Sequence, residues 1–88
     1  MPWAYQFDAS ALRALKKLGS QAQKQILGYI DARLIGEGNP RRFGKALTGD
    51  LRGLWRWRVG DYRILGRVQD EKLLILVVEV GHRKEVYD

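Results

Sequence analysis

Arg56, Arg58, Arg63 and Arg67 lie on either side of a Gly60-Asp61 pair, and the chemistry open to such a set is recognition of phosphate. A guanidinium keeps its charge at any physiological pH, and its planar fork of donors matches phosphate oxygens bidentately. If Gly60-Asp61 is a two-residue hairpin loop, Val59 pairs with Tyr62, Arg58 with Arg63, Trp57 with Ile64 and Arg56 with Leu65, with Leu54 facing Arg67. Side chains alternate along a strand, so Arg56, Arg58, Arg63 and Arg67 fall on one face. Trp55, Trp57, Val59, Tyr62 and Ile64 fall on the other. Like charges directly opposite one another oppose folding by a few tenths of a kcal/mol up to ~1. A structural role alone does not explain why Arg58 faces Arg63; the alternative is that both splay into water or pair with carboxylates elsewhere.

The remaining titratable residues narrow the chemistry. Asp61, Asp70 and Glu71 lie in turns at opposite strand ends and Glu79 is away from both loops, so no carboxylate cage for a cation is expected. No cofactor motif is present either. His82 is the single histidine, which excludes a two-histidine acid–base ribonuclease; beside Gly81 and Arg83 it reads as a loop residue able to touch phosphate. Sixteen Lys and Arg against ten Asp and Glu give +6, and the stretch from Arg41 to Arg67 holds eight basic and two acidic residues, the same net +6. Charge concentrated in this way favours a phosphate-rich partner, RNA above all, through Coulomb attraction and counterion release. An ordinary solvated basic surface is the plainer reading of charge alone.

The elements that must hold these residues can be read from pattern. The 88 residues suffice for one domain, 1–88, with one core. Cysteine is absent, which allows a reducing cytoplasm. Charged and polar positions in the first twenty residues leave no secretory signal, and the longest apolar run, six residues at 73–78, is too short to span a membrane. Residues 3–7 alternate as a first strand. Asp8 or Ser10 can cap a helix whose Leu12, Leu15 and Leu18 share a face, and Gly19 suits its end. Ser20 and Gln23 have capping-box spacing, and Ile26, Leu27, Ile30 and Leu34 form the apolar face of a second helix. An irregular basic segment then runs to Gly53. Strands at 54–59, 62–69 and 72–80 follow, joined by the two-residue loops Gly60-Asp61 and Asp70-Glu71. The third is apolar on both faces, which argues for a central position with cover on each side, Leu74, Leu76 and Val78 needing it on the arginine side. The alternation of Trp3, Tyr5, Trp55 and Trp57 assigns them to the core. The expected fold is α+β: an initial strand, a helical hairpin and a three-stranded antiparallel meander, forming one mostly antiparallel sheet with helices on one face.

The run Trp55-Arg56-Trp57-Arg58-Val59-Gly60-Asp61-Tyr62-Arg63, followed by Val80-Gly81-His82-Arg83-Lys84-Glu85-Val86-Tyr87, resembles the RelE family of bacterial toxins over nearly the whole chain. The resemblance implies a toxin of a type II toxin–antitoxin system that cleaves messenger RNA in the ribosomal A site, without metal or cofactor, in the cytoplasm. It also implies attack by the RNA 2′-hydroxyl to leave a 2′,3′-cyclic phosphate and a 5′-hydroxyl. By position, the family's catalytic residues fall on Arg56, Arg58, Arg63, Arg83 and Tyr87, the tyrosine stacking on a base or exchanging a proton. Lys45, Arg52, Arg67, His82 and Lys84 are the accompanying contacts to RNA or ribosome. A RelB-type antitoxin is implied as partner, its acidic, amphipathic helical segment covering the arginine face. Relatives carry lysines where this chain has Arg56 and Arg58, so a lysine base has no counterpart there. The alternative is a ParE-type toxin of the same fold that poisons DNA gyrase without cutting RNA.

Overall fold

The computed structural model describes residues 3–36 and 38–82. The initial strand is β1, Ala4–Phe7, and the helical hairpin is α1, Ala9–Lys17, with α2, Ser20–Tyr29. A short strand, β2, Lys45–Ala46, precedes the meander β3, Trp55–Val59, β4, Tyr62–Gln69, and β5, Leu74–His82. The sheet order is β1-β5-β4-β3-β2, with β1 parallel to β5 and the other neighbours antiparallel. β5 therefore takes the interior position that its two-sided apolar composition requires. The expected α+β architecture is observed, with a fifth strand that pattern reading missed because two residues carry no alternation.

The helices cover the face of the sheet that carries Trp57, Ile64, Ile75 and Val77, which are excluded from solvent together with Ile26, Ile30 and Leu34. Trp3 is buried as well, and Tyr5, Phe7 and Trp55 pack against this core, as the alternation requires. Trp57 is the pivot: its indole N–H donates to the carbonyl of Pro40 at 3.0 Å, so a ring with no solvent exposure keeps its one donor satisfied. Asp8 caps α1, accepting from the Ala11 amide at 2.8 Å. The buried stripe of α1 runs through Ala11, Leu15 and the half-buried Leu18, while Leu12 is 40% exposed, so Leu12 does not share the core face expected of it. The capping box expected at Ser20 does not form either. The tight turn between the helices holds Gly19 at φ 93°, and Gly19, not Ser20, is the residue preceding α2. Ser20 is already helical and Gln23 donates instead to the Lys16 carbonyl at 3.3 Å.

The β3–β4 hairpin closes as expected, Val59 pairing with Tyr62. Gly60 has φ 59° while Asp61 stays out of the left-handed region, the pattern of a type II′ turn with glycine first. The β4–β5 connection is longer than the two residues expected. Asp70–Lys72 forms a 3₁₀ turn and Leu73 follows at φ 50°, which lets Leu73 pack against the core while Arg41 clasps the Asp70 carboxylate at 2.7 and 3.0 Å. The second departure lies within β5. Leu65 pairs with Glu79 but Gly66 pairs with Val77, so Val78 is the extra residue of a β-bulge. Gly66 sits where backbones approach closely, since a Cβ there would lie 2.9 Å from the Leu76 carbonyl and 3.2 Å from the Trp57 ring.

Candidate functional site

The arginine side of the sheet is built row by row from cross-strand pairs. One row runs Lys45, Arg56, Leu65, Glu79 across β2, β3, β4 and β5, and the next runs Arg58, Arg63, Gly81. Partners in a row share a face with Cβ atoms about 5 Å apart, so Arg56, Arg58 and Arg63 form one tight group with Lys45 at its margin. Arg58 is exposed, Arg56 is half-exposed and Arg63 is only 1% exposed. A guanidinium this far from water needs compensation inside the protein, and Arg63 is engaged by interactions rather than left bare. Arg63 thus lies beneath the surface of this face, while Arg56 and Arg58 lie at it.

A second apolar cluster sits on this same face. Leu47 and Leu54 close over Leu65, joined by Leu51 and Val78. The irregular segment before β3 therefore supplies part of the cover that β5 requires, while Leu74 and Leu76 remain half-buried. The roof over Leu65 also divides the basic residues. Arg67, paired with Leu76, is exposed beyond Leu65 and approaches Gly53, its Nη1 lying 3.5 Å from where a Cβ on that glycine would be. Arg52 is exposed on the same covering segment. Arg67 and Arg52 are thus set apart from the Arg56, Arg58 and Arg63 group.

His82 pairs with Tyr62, which places it with the core-facing residues, its ring edge-on to Tyr62 at 5.9 Å between centroids. It is not brought to the arginine group. Arg83, Lys84 and Tyr87 lie outside the described residues. Among the other basic residues, Arg41 is committed to structure: it lies over the Trp55 ring at 5.8 Å, and its bidentate bond with Asp70 raises its own pKa and lowers that of the carboxylate. Among the described residues no group of three His, Asp or Glu side chains is placed to hold a metal ion, and no helix is long and apolar enough to cross a membrane.

Glu79 is the residue of this face that sequence reasoning passed over. Strict alternation from Ile75 and Val77 puts position 79 in the core; the bulge at Val78 turns it onto the arginine face, opposite Leu65 and exposed. A signal was available, because alternation that buries Ile75 and Val77 would also bury Glu79 and expose Val80. That is the wrong way round for both residues, and one inserted position corrects both.

A family model described as the ParE toxin of the type II toxin–antitoxin system parDE matches residues 5–87. The chain belongs to the RelE/ParE family of toxins. The toxin is 33% identical to Toxin RelG of Mycobacterium tuberculosis over 87 residues, 99% of this chain and 98% of that protein. Among solved structures, a chain of the RelBE2 toxin–antitoxin complex of the same organism superimposes with a TM-score of 0.85 at 32% identity, covering 94% of this chain and all of that one. The isolated RelE toxin of E. coli is more distant, with a TM-score of 0.58 at 26% identity over 91% of this chain and 83% of that one. The resemblance drawn from the sequence motifs and the RelE-like fold are both established by these matches.

Proposed function

We propose that this toxin is a ribosome-dependent endoribonuclease that cuts messenger RNA in the A site by attack of the substrate's own 2′-hydroxyl. The observation that carries this reading is the Arg58–Arg63 pair with Arg56 beside it. Folding gains nothing from like charges set opposite one another, whereas a phosphodiester passing to a phosphorane gains from each positive group around it. O2′ attacks phosphorus, the P–O5′ bond breaks, and the products are a 2′,3′-cyclic phosphate and a 5′-hydroxyl. The reaction as written consumes no water and calls for no metal. Arg56 and Arg58 bind the non-bridging oxygens, Arg63 adds charge from beneath, and Arg83 and Tyr87 complete the site, Tyr87 as the proton source for O5′. Lys45, Arg52, Arg67 and Lys84 provide flanking contacts to RNA or ribosome, and His82 makes its contact from the end of β5. An enzyme with no strong base of its own among the arginines depends on a ribosome that holds the codon ready for attack, so the toxin works in the cytoplasm. Its partner is a RelB-type antitoxin, as the complexed M. tuberculosis relative suggests; an acidic amphipathic helix suits the arginines and the half-buried Leu74 and Leu76 together.

The test is single-turnover cleavage of messenger RNA on programmed ribosomes, run beside a gyrase cleavage assay. Substitution of Arg56 or Arg58 by Ala is expected to slow cutting by about 10²-fold or more, the scale for loss of one charge-stabilising donor. Trapped gyrase–DNA breaks with intact message would instead establish the ParE-type activity and end the nuclease reading.

A further inference from the structure

We propose that Arg33, Phe43 and Arg42 form a second RNA-binding site, which holds the phosphate backbone of a strand running past the arginine face; the inference rests on the reading of this toxin as one directed at RNA. Arg33 comes from the helical turn Ile30–Leu34 that ends the hairpin, and Arg42 and Phe43 come from the short turn Pro40–Phe43. The two guanidinium carbons lie 5.6 and 4.9 Å from the centroid of the one Phe43 ring. That ring is half-buried against the main core, whereas both arginines are exposed. Arg42 is also seated across Gly38, where any Cβ would collide with its Nη2.

Packing accounts for one of these arginines. A single guanidinium covers a half-buried ring and gains a cation–π contact; a second brings like charge to the same spot. Among the described residues neither Arg33 nor Arg42 meets a carboxylate, and that of Asp70 is taken by Arg41. A ligand carrying several negative charges supplies what the fold does not. Position selects among such ligands. Phe43 packs on the helix side of the sheet, while Lys45, two residues on, stands opposite Arg56 on the arginine side. The basic strip therefore bends round the β2 edge of the sheet. A straight acidic helix cannot follow that bend. A single RNA strand can, with phosphates at the N–H edges of the guanidiniums and its bases free to stack on their planes.

The test compares the parent with an Arg33→Gln/Arg42→Gln variant and with Arg13→Gln/Lys17→Gln, which removes equal charge from exposed positions of α1. Each is titrated against three probes: a single-stranded RNA of about 12 nucleotides, 2′-O-methylated against cleavage, small ribosomal subunits without message, and an acidic helical peptide. Two phosphate contacts on a single strand contribute about 1.4 to the slope of log K against log salt, so the parent's advantage over Arg33→Gln/Arg42→Gln should shrink about sevenfold between ~0.05 and ~0.2 M salt. The proposal expects that variant to bind RNA more weakly than the α1 variant does, on the oligonucleotide if the strand is message and on the subunits alone if it is ribosomal RNA. Equal losses in the two variants on both RNA probes overturn it, as does a loss confined to the peptide or a parent that binds neither RNA. Cleavage on programmed ribosomes is read separately. A parent that binds RNA through these residues and never cuts message fails the nuclease reading and leaves this site standing.

Discussion

Replacing Arg58 by Gln is expected to make the toxin more stable and nearly inactive, and this opposition of signs follows from the β3–β4 register. Arg58 stands directly opposite Arg63, a like-charge arrangement that costs a few tenths of a kcal/mol up to ~1. Arg58 is exposed, whereas the buried Arg63 has interactions of its own within the protein, so the repulsion that remains stays inside that range. Glutamine keeps most of the aliphatic stem and removes the charge. A gain of roughly 0.5–1 kcal/mol corresponds to a rise in melting temperature of about 2–8 °C for a domain of this size. Urea titration should show the same gain as a raised midpoint with unchanged slope. The advantage should shrink in ~1 M salt, where the Debye length falls to ~3 Å. Cleavage on programmed ribosomes should fall by about 10²-fold or more over the same substitution. A variant that is less stable than the parent at low salt, or that cuts at the parent rate, would refute the inference that this pair is retained for its ligand.

Three further outcomes follow from the fold. Trp57→Phe removes the indole donor from the buried Pro40 carbonyl and leaves a void under the sheet; the carbonyl alone accounts for ~1–3 kcal/mol, and a total loss of about 2–4 kcal/mol by urea titration is expected. Gly66→Ala drives a Cβ against the Leu76 carbonyl at 2.9 Å, a backbone atom that cannot swing aside, so a loss of ~1–3 kcal/mol is expected by the same assay. Asp70→Asn tests the Arg41 clasp by pH. Because Arg41 lowers the Asp70 pKa in the folded state, the clasp stabilises the fold fully above the ordinary carboxylate range and that contribution is lost as pH falls through the lowered value. Parent and variant melting curves should therefore differ at neutral pH and converge in acid; a difference that grows in acid would contradict the assignment.

Much of the fold was legible because hairpin chemistry and alternation left few choices. Gly60-Asp61 fixed the pairing of Arg58 with Arg63, and once the pairing is fixed the arginines cannot lie on different faces. The two-sided apolar character of 73–78 correctly placed β5 inside the sheet. What escaped reading was local and had tertiary causes. The clasp of Asp70 by Arg41, twenty-nine positions away, accompanies a turn longer than two residues. The bulge at Val78 changes the parity of everything after it, and with it the face of Glu79. Leu12 matched the helical period as well as Leu18 does, and only the angle at which α1 lies on the sheet decides between Ala11 and Leu12. At the candidate site, the register grouped Arg56, Arg58 and Arg63, but the burial of Arg63 and the roof of Leu47 and Leu54 that sets Arg67 apart are properties of packing.

The claim on which the account turns is that the arginine face cuts translated message by internal transesterification. The most direct measurement is a transcriptome-wide map of new RNA ends after brief induction in cells, captured by ligation chemistry that accepts only 2′,3′-cyclic phosphate or 5′-hydroxyl termini, with an Arg56→Ala/Arg58→Ala double variant alongside. The account expects paired ends of both kinds inside translated reading frames, in phase with codons, and absent from the double variant. Intact message under arrested growth, or ends that persist undiminished in the double variant, would contradict it.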